Sequence, residues 1–154
     1  MSGQKILIPF NFSRNDRKAL EFAMRTFASL PDVEIILFHA YTPPPKIEAS
    51  RQTVTAKLSS SISFINKRIA DQKEALHKEL ETLCNGGVDE SKLSCVFEAR
   101  NKDVAAEIIA QANKWRCQIV VLNHKSGKIT RFFTGTVFTK VVTALTNTTV
   151  CIVS

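Results

Sequence analysis

The sequence predicts an α/β protein built on a doubly wound sheet of five parallel strands with helices on both faces. The first observation is a set of five short apolar runs, at residues 5–10, 33–41, 93–97, 118–122 and 148–153. Strands of a parallel sheet covered on both faces are apolar along their length and do not alternate. The second observation is that segments with helical spacing separate these runs, and right-handed crossovers then favour the strand order 3-2-1-4-5. We expect one domain over residues 1–154.

The first strand–helix–strand unit has clear local signals. The run KILIPF at 5–10 is followed by Ser13 and Asp16, the pattern of a helix N-cap with an acidic residue at the third helical position. Apolar residues at helical spacing continue from there, and Pro31 predicts the end of this helix. Residues 33–41, VEIILFHAY, form the second predicted strand.

The longest helix is predicted from about residue 51 to residue 84, after three consecutive prolines at 43–45 that exclude regular structure. Asn85, Gly86 and Gly87 supply its C-terminal stop. A serine cluster near its start favours a solvated face over a phosphorylation site; its members are Ser59, Ser60, Ser61 and Ser63. Shorter helices are predicted over 104–115 and 138–145, each followed by a strand.

The four cysteines are widely spaced and contain no C-x-x-C pair; they are Cys84, Cys95, Cys117 and Cys151. This distribution favours buried reduced thiols over a metal site or a disulfide framework.

The chain carries a net charge of +7, but its basic residues are spread out without an Arg-rich arm or an aromatic-interleaved patch. This distribution favours a solvated basic surface over nucleic-acid binding. No run of 18 apolar residues predicts a membrane span. The N-terminus leads almost directly into a strand without a signal-peptide pattern, so we expect a cytoplasmic protein.

In the predicted strand order, the switch point lies between the first and fourth strands, and a ligand is expected outside their carboxyl ends. The residues that topology places there are Pro9, Phe10, Asn11, Ser13, Asn123, His124, Lys125, Ser126 and Gly127. The loop after the fourth strand enters a helix through Gly135 and Thr136, where backbone N–H groups and the helix dipole favour an anion. Lys125, Lys128 and Arg131 add positive charge to this loop.

Several segments in register resemble the universal stress protein family along nearly the full chain. KILIPFNFS is similar to that family's first strand followed by Pro, a variable residue, Asp and often Phe-Ser, and LFHAY is similar to its second strand. KDVAAEIIAQANKWRCQIVVLNHKSG resembles its third helix, fourth strand and glycine loop. FFTGTVFTKVVTALTNTTVCIVS resembles its last helix, where Val137 follows the Gly-Thr pair, and its last strand. The resemblance implies a Rossmann-like fold of the adenine-nucleotide alpha-hydrolase type.

The resemblance also implies a stress-response protein that forms a homodimer. Dimers of this family commonly pair through the last strand, which here contains Val150, Cys151, Ile152 and Val153. An apolar terminal edge strand is an association hazard when it is left unpaired, which is an independent physical reason for a dimer.

Many members of the family bind ATP through a loop pattern G-x-x-G, nine residues, then G-[S/T]. Gly135 and Thr136 match the final pair. Neither earlier glycine of the pattern aligns without a gap. If Asn123 replaces the first glycine, the loop is one residue short, and Lys125 or Ser126 stands where the second glycine belongs. The triphosphate would be held here with Mg²⁺.

The nucleoside part of such a site is implied by two further residues. Asn11 occupies the family's Asp position, losing a charge but keeping an acceptor oxygen, and Ala40 fits the small position after His39.

Two functions are compatible with these residues. The first is a dimeric stress protein that binds ATP at the switch point. The second is a nucleotide-independent dimeric adaptor of the same family, which the shortened loop and Asn11 favour.

We do not expect a dedicated enzyme, since H-E-x-x-H, G-x-S-x-G and the Walker lysine motif are all absent from the sequence. Slow ATP hydrolysis or autophosphorylation is compatible with a bound polyphosphate.

Overall fold

The computed structural model describes residues 3–46, 56–124 and 137–154. The strands are β1 (Gln4–Pro9), β2 (Val33–Tyr41), β3 (Leu93–Ala99), β4 (Ile119–Asn123) and β5 (Thr149–Val153). The helices are α1 (Arg14–Phe27), α2 (Ala56–Asn85), α3 (Val104–Lys114) and α4 (Val137–Ala144). A short 3-10 turn, Glu90–Lys92, precedes β3.

The five strands are parallel and lie in the order β3-β2-β1-β4-β5, which confirms the predicted topology. β1 is the central strand, and its Ile6 lies opposite Ile35 of β2 and Ile119 of β4. Helices α1 and α2 pack on one face of the sheet, and α3 and α4 pack on the other.

Successive residues of β1 belong to two separate cores. Ile6 and Ile8 pack with residues of α1 and α2, whereas Leu7 packs with residues of α3 and α4. All three side chains are completely buried. Since neighbouring strand residues point to opposite faces, a strand covered on both faces needs an unbroken apolar run, which is the pattern found in the sequence.

One predicted helix ends earlier in the structure, and the predicted start of another lies outside the described residues. The capping box of Ser13 and Asp16 starts α1 as predicted, but the helix ends at Phe27 and not near Pro31. The reason is the approach to β2: Asp32 adopts a left-handed φ of 54° and its carbonyl accepts the Gln4 N–H at 2.8 Å, so the chain has to turn before the strand. The described part of α2 begins at 56, and the predicted helical residues 51–55 lie outside the described residues.

Helix α2 is anchored to the sheet through its C-terminal half. Leu76 is completely buried, whereas Phe64, three turns earlier, is 67% exposed. An ion pair of 2.5 Å between Arg17 of α1 and Glu79 ties the two helices together on this face. Although α2 has 30 residues, neither it nor another helix of the described ranges combines the length and hydropathy of a membrane span.

All four cysteines are free thiols in the structure. Only Cys117 is fully buried, however, and Cys84, Cys95 and Cys151 are partly exposed. Burial raises the pKa of Cys95, and it raises the pKa of Cys117 to about 11. Both side chains are therefore protonated thiols at neutral pH.

Shortening Leu76 tests where α2 is anchored. Leu76→Ala is expected to lower the free energy of unfolding by about 2–5 kcal/mol, because it opens a cavity under a fully buried side chain. Phe64→Ala on the same helix is expected to change it by less than about 0.5 kcal/mol. Urea unfolding of both variants measures the difference, and equal losses of stability would contradict this anchoring.

Candidate functional site

The carboxyl ends of β1 and β4 bring two asparagines to the same end of the sheet. β1 pairs with β4 through Ile6 and Leu7. Asn11 lies in the turn after β1 and is exposed, whereas Asn123 is the last residue of β4 and is half-buried. The predicted switch point therefore carries polar side chains from chain segments that are far apart in the sequence.

A buried carboxylate joins these two segments. Asp16 is 4% exposed, and its Oδ2 accepts the N–H groups of Asn11 and Ser13 at 3.1 Å each and the Ser13 hydroxyl at 2.5 Å. Its Oδ1 accepts a hydrogen bond from the side-chain amide of Asn123. A buried charge is costly unless it is hydrogen-bonded, and four donors meet that requirement here.

His39 of β2 fixes the same turn from the other side. Its Nδ1 lies 2.8 Å from the Phe10 carbonyl, and because a carbonyl can only accept, Nδ1 carries the proton. The side chain is 4% exposed, which confirms its predicted place in a buried strand. Its Nε2 is a buried acceptor without a hydrogen bond in the described part of the chain.

Burial is the largest influence on His39 and lowers its pKa. The Phe10 carbonyl, the Gln72 side chain and the charge of Asp16 act in the opposite direction. Gln72 lies close enough to raise the pKa of His39, but it makes no hydrogen bond of ordinary geometry to Nε2. The ring is therefore neutral at pH 7.

An aromatic cluster extends from the turn across the sheet. The ring of Phe12 packs on Phe10 at 5.2 Å and on His39 at 5.1 Å between centroids, and His39 stacks on Phe97 at 5.6 Å. Phe12 adopts a left-handed φ of 59°, a conformation that costs a side-chain-bearing residue roughly 1–2 kcal/mol. Aromatic packing and the hydrogen bonds of Asp16 offset this strain.

Three other predicted residues lie in or near the end of the sheet. Pro9 ends β1. Phe10 is 2% exposed, its N–H donates to the Phe38 carbonyl at 2.7 Å, and its carbonyl accepts from His39, so this residue belongs to the core. Ala40 is partly buried on the face covered by α3 and α4.

The segment after β4 is described only in part. The His124 N–H donates to the Val153 carbonyl at 2.8 Å, and its ring packs edge-on against Phe138 of α4 at 5.4 Å. Val137, the first residue of α4, is 43% exposed. The other predicted site residues lie outside the described residues; they are Lys125, Ser126, Gly127, Gly135 and Thr136.

A cavity of about 270 Å³ lies at the opposite end of the sheet, where the strands begin. It is lined by Ala112, Asn113, Arg116, Cys117, Gln118, Asn147 and Thr148. These residues surround the amino ends of β4 and β5, whereas ligands of open parallel sheets bind outside the carboxyl ends. Within the described residues, no three His, Cys, Asp or Glu side chains are grouped so as to hold a metal ion.

Sequence reasoning assigned Asp16 only a helix-capping role and missed its place in the site. The capping pattern was a valid local signal, and the structure confirms it. The second interaction joins Asp16 to a residue 107 positions away. No local pattern indicates this bond; the available signal in the sequence is an acidic residue close to the predicted switch point.

These observations define a Rossmann-like α/β domain with a polar site at the β1/β4 switch point. The sequence model of the universal stress protein family matches residues 3–153. The chain therefore belongs to the universal stress protein family.

Solved structures of universal stress proteins have the same fold. UspA from Lactobacillus plantarum is 14% identical with a TM-score of 0.71, over 100% of this chain and 99% of that one. A protein from Archaeoglobus fulgidus in complex with dAMP is 17% identical with a TM-score of 0.66, over 100% of both chains. Another, in complex with cAMP, is 15% identical with a TM-score of 0.59, over 99% of this chain and 98% of that one. No curated protein matches the sequence significantly.

The lowered pKa of His39 predicts a loss of stability in mild acid. The unfolded chain takes up a proton near the ordinary value of 6.5, whereas the folded chain resists protonation until lower pH. This contribution to the free energy of unfolding is therefore complete above about pH 6.5 and decreases as the pH falls below it.

Urea unfolding at about pH 7.5 and about pH 5.5 measures this effect. His39→Asn, which keeps a donor for the Phe10 carbonyl, is expected to lose most of the pH dependence. His77→Gln, at an exposed position, is expected to retain it. The same pH dependence in His39→Asn and the unsubstituted protein would refute the assignment.

Proposed function

We propose that this protein is a cytoplasmic stress-response protein that binds ATP at the β1/β4 switch point and acts as a homodimer. The observation that carries the proposal is the pair of Asn11 and Asn123, which Asp16 holds at the carboxyl ends of the strands. The nucleotides bound by two structures of the same fold, dAMP and cAMP, support an adenine nucleotide as the ligand class.

The chemistry of the site divides between the two strand ends. Asn11 offers an exposed amide with both a donor and an acceptor, suited to the hydroxyl and ring nitrogen atoms of a nucleoside. Ala40, near the end of β2, would leave room for the nucleoside. The sequence pattern assigns the phosphates to the segment before α4, with backbone N–H groups from Gly135 and Thr136 and charge from Lys125.

Mg²⁺ would be held through the phosphate oxygens and water. Asp16 would not bind the ion directly, because protein donors already bond its carboxylate. The residues present therefore fit an ion that is held by the nucleotide. Mg²⁺ commonly keeps several waters and binds through substrate phosphates. The ion would neutralise phosphate charge, and the protein would have a binding role without a dedicated catalytic one.

A second function, that of a nucleotide-independent dimeric adaptor, is favoured by one observation. The side-chain amide of Asn123 is bonded to Asp16, which removes one donor from ligand binding. In this case the polar strand ends would serve the stability of the switch point, and the dimer would carry the function.

The proposed dimer pairs through β5, which is an edge strand of the sheet. Ile152 is 45% exposed on this strand, and Val142 of α4 is 48% exposed. The side chains of Val150, Cys151 and Val153 are partly buried. Backbone pairing of two β5 strands would satisfy the edge and cover Ile152.

Calorimetric titration with Mg-ATP tests the nucleotide site. We expect a dissociation constant on the order of millimolar or tighter, and Asn11→Ala is expected to weaken it roughly fivefold through the loss of about 1 kcal/mol of hydrogen bonding. Asn113→Ala, at the opposite end of the sheet, is the matched control and should leave binding unchanged. Absence of heat at millimolar nucleotide would reject ATP binding and favour the adaptor.

Light scattering coupled to size-exclusion chromatography tests the dimer. Ile152→Lys is expected to produce a monomer, because a charge on an edge strand opposes pairing with a second copy. Phe64→Lys places the same charge at an exposed apolar position on α2 and should leave the dimer intact. A dimeric Ile152→Lys variant, or a monomeric unsubstituted protein, would contradict pairing through β5.

A further inference from the structure

We infer that Asp16 is a positioning residue for the nucleotide site. Its carboxylate holds together the turn after β1 and the end of β4, which are the two segments that would contact the ligand. This inference rests on the function proposed above and adds to it the residue that keeps the two sides of the site in register.

Asp16 itself is not available to a ligand. Three donors, the Asn11 N–H and the N–H and hydroxyl of Ser13, bond its Oδ2, and the Asn123 side-chain amide bonds its Oδ1. With 4% of its surface exposed, the side chain lies beneath the site. Asp16 therefore acts through Asn11 and Asn123, whose positions it sets.

The turn needs this support because its backbone is strained. Phe12 has a φ of 59°, and the N–H groups on either side of it, those of Asn11 and Ser13, both donate to Asp16. Without these bonds the turn would sample other conformations. A ligand would then have to order it, and the cost of that ordering is subtracted from the binding free energy.

The position of Asp16 also determines where an anion can bind. A negative charge in the first turn of α1 interacts favourably with the helix dipole. Together with Ser13 it occupies the N-terminus of α1. A phosphate group is thereby directed away from α1 and toward the start of α4.

The substitution Asp16→Asn separates positioning from general stability. Asn keeps the size of the side chain and one acceptor oxygen, but its NH2 group can only donate, so it cannot accept from the turn and from the Asn123 amide at the same time. Glu107→Gln is the matched control, because Glu107 is 9% exposed and accepts the N–H groups of Asn101 and Lys102 at 2.8 and 2.9 Å. The same chemistry thus supports the turn between β3 and α3, away from the switch point.

The primary measurement is the Mg-ATP dissociation constant by calorimetry, in the full chain and well below the unfolding temperature. Asp16→Asn is expected to weaken binding about tenfold, equivalent to about 1.4 kcal/mol. Glu107→Gln is expected to change it less than about twofold. Amide hydrogen exchange without nucleotide should accelerate at Asn11 and Ser13 in Asp16→Asn alone.

A second variant guards against a folding defect. Asn123→Ala removes the link to β4 and leaves the capping box of α1 intact, so Ser13 should keep its slow exchange in this variant and lose it in Asp16→Asn. Unchanged or tighter binding by Asp16→Asn, when the unsubstituted protein binds, overturns the positioning role alone. Failure of the unsubstituted protein to bind overturns the proposed nucleotide function together with this inference.

Discussion

The structure depends on burying β1 on both faces at once. Ile6, Leu7 and Ile8 are completely enclosed, and they belong alternately to the two cores. Each fully buried aliphatic side chain contributes about 1.5–3 kcal/mol of transfer free energy, so the strand has to lie at the centre, with helices on both sides. Placing β1 there puts β2 and β4 beside it and creates the switch point.

The same constraint explains why polar groups gather where β1 ends. Inside the sheet, strand neighbours satisfy the backbone and apolar side chains fill both faces. Beyond Phe10 the chain has to leave the sheet, and its N–H groups need other acceptors. Asp16 supplies these for Asn11 and Ser13, while His39 donates to the last carbonyl of the core. A network needed for structure would thus also be the framework of the proposed ligand site.

The fold could be predicted because its signals are local and repeated. The bounds of β2 agree with the apolar run at 33–41, and the capping box marked the start of α1. The early end of α1 could not be predicted, because it is set by the hydrogen bond between Asp32 and Gln4. The bond from Asn123 to Asp16 likewise depends on the three-dimensional arrangement of the chain. The roles of Gly135 and Thr136 stay predictions from sequence.

The span of the Asn123–Asp16 contact bears on how the protein folds. The two residues are separated by 107 positions, so their hydrogen bond can form only after β1, α1 and β4 have come together. Contacts of such high sequence separation are costly in chain entropy and characterise slow, late steps of folding. A small molecule held between these segments would recognise only the completed fold, and its binding would draw partly folded chains toward the native state by mass action.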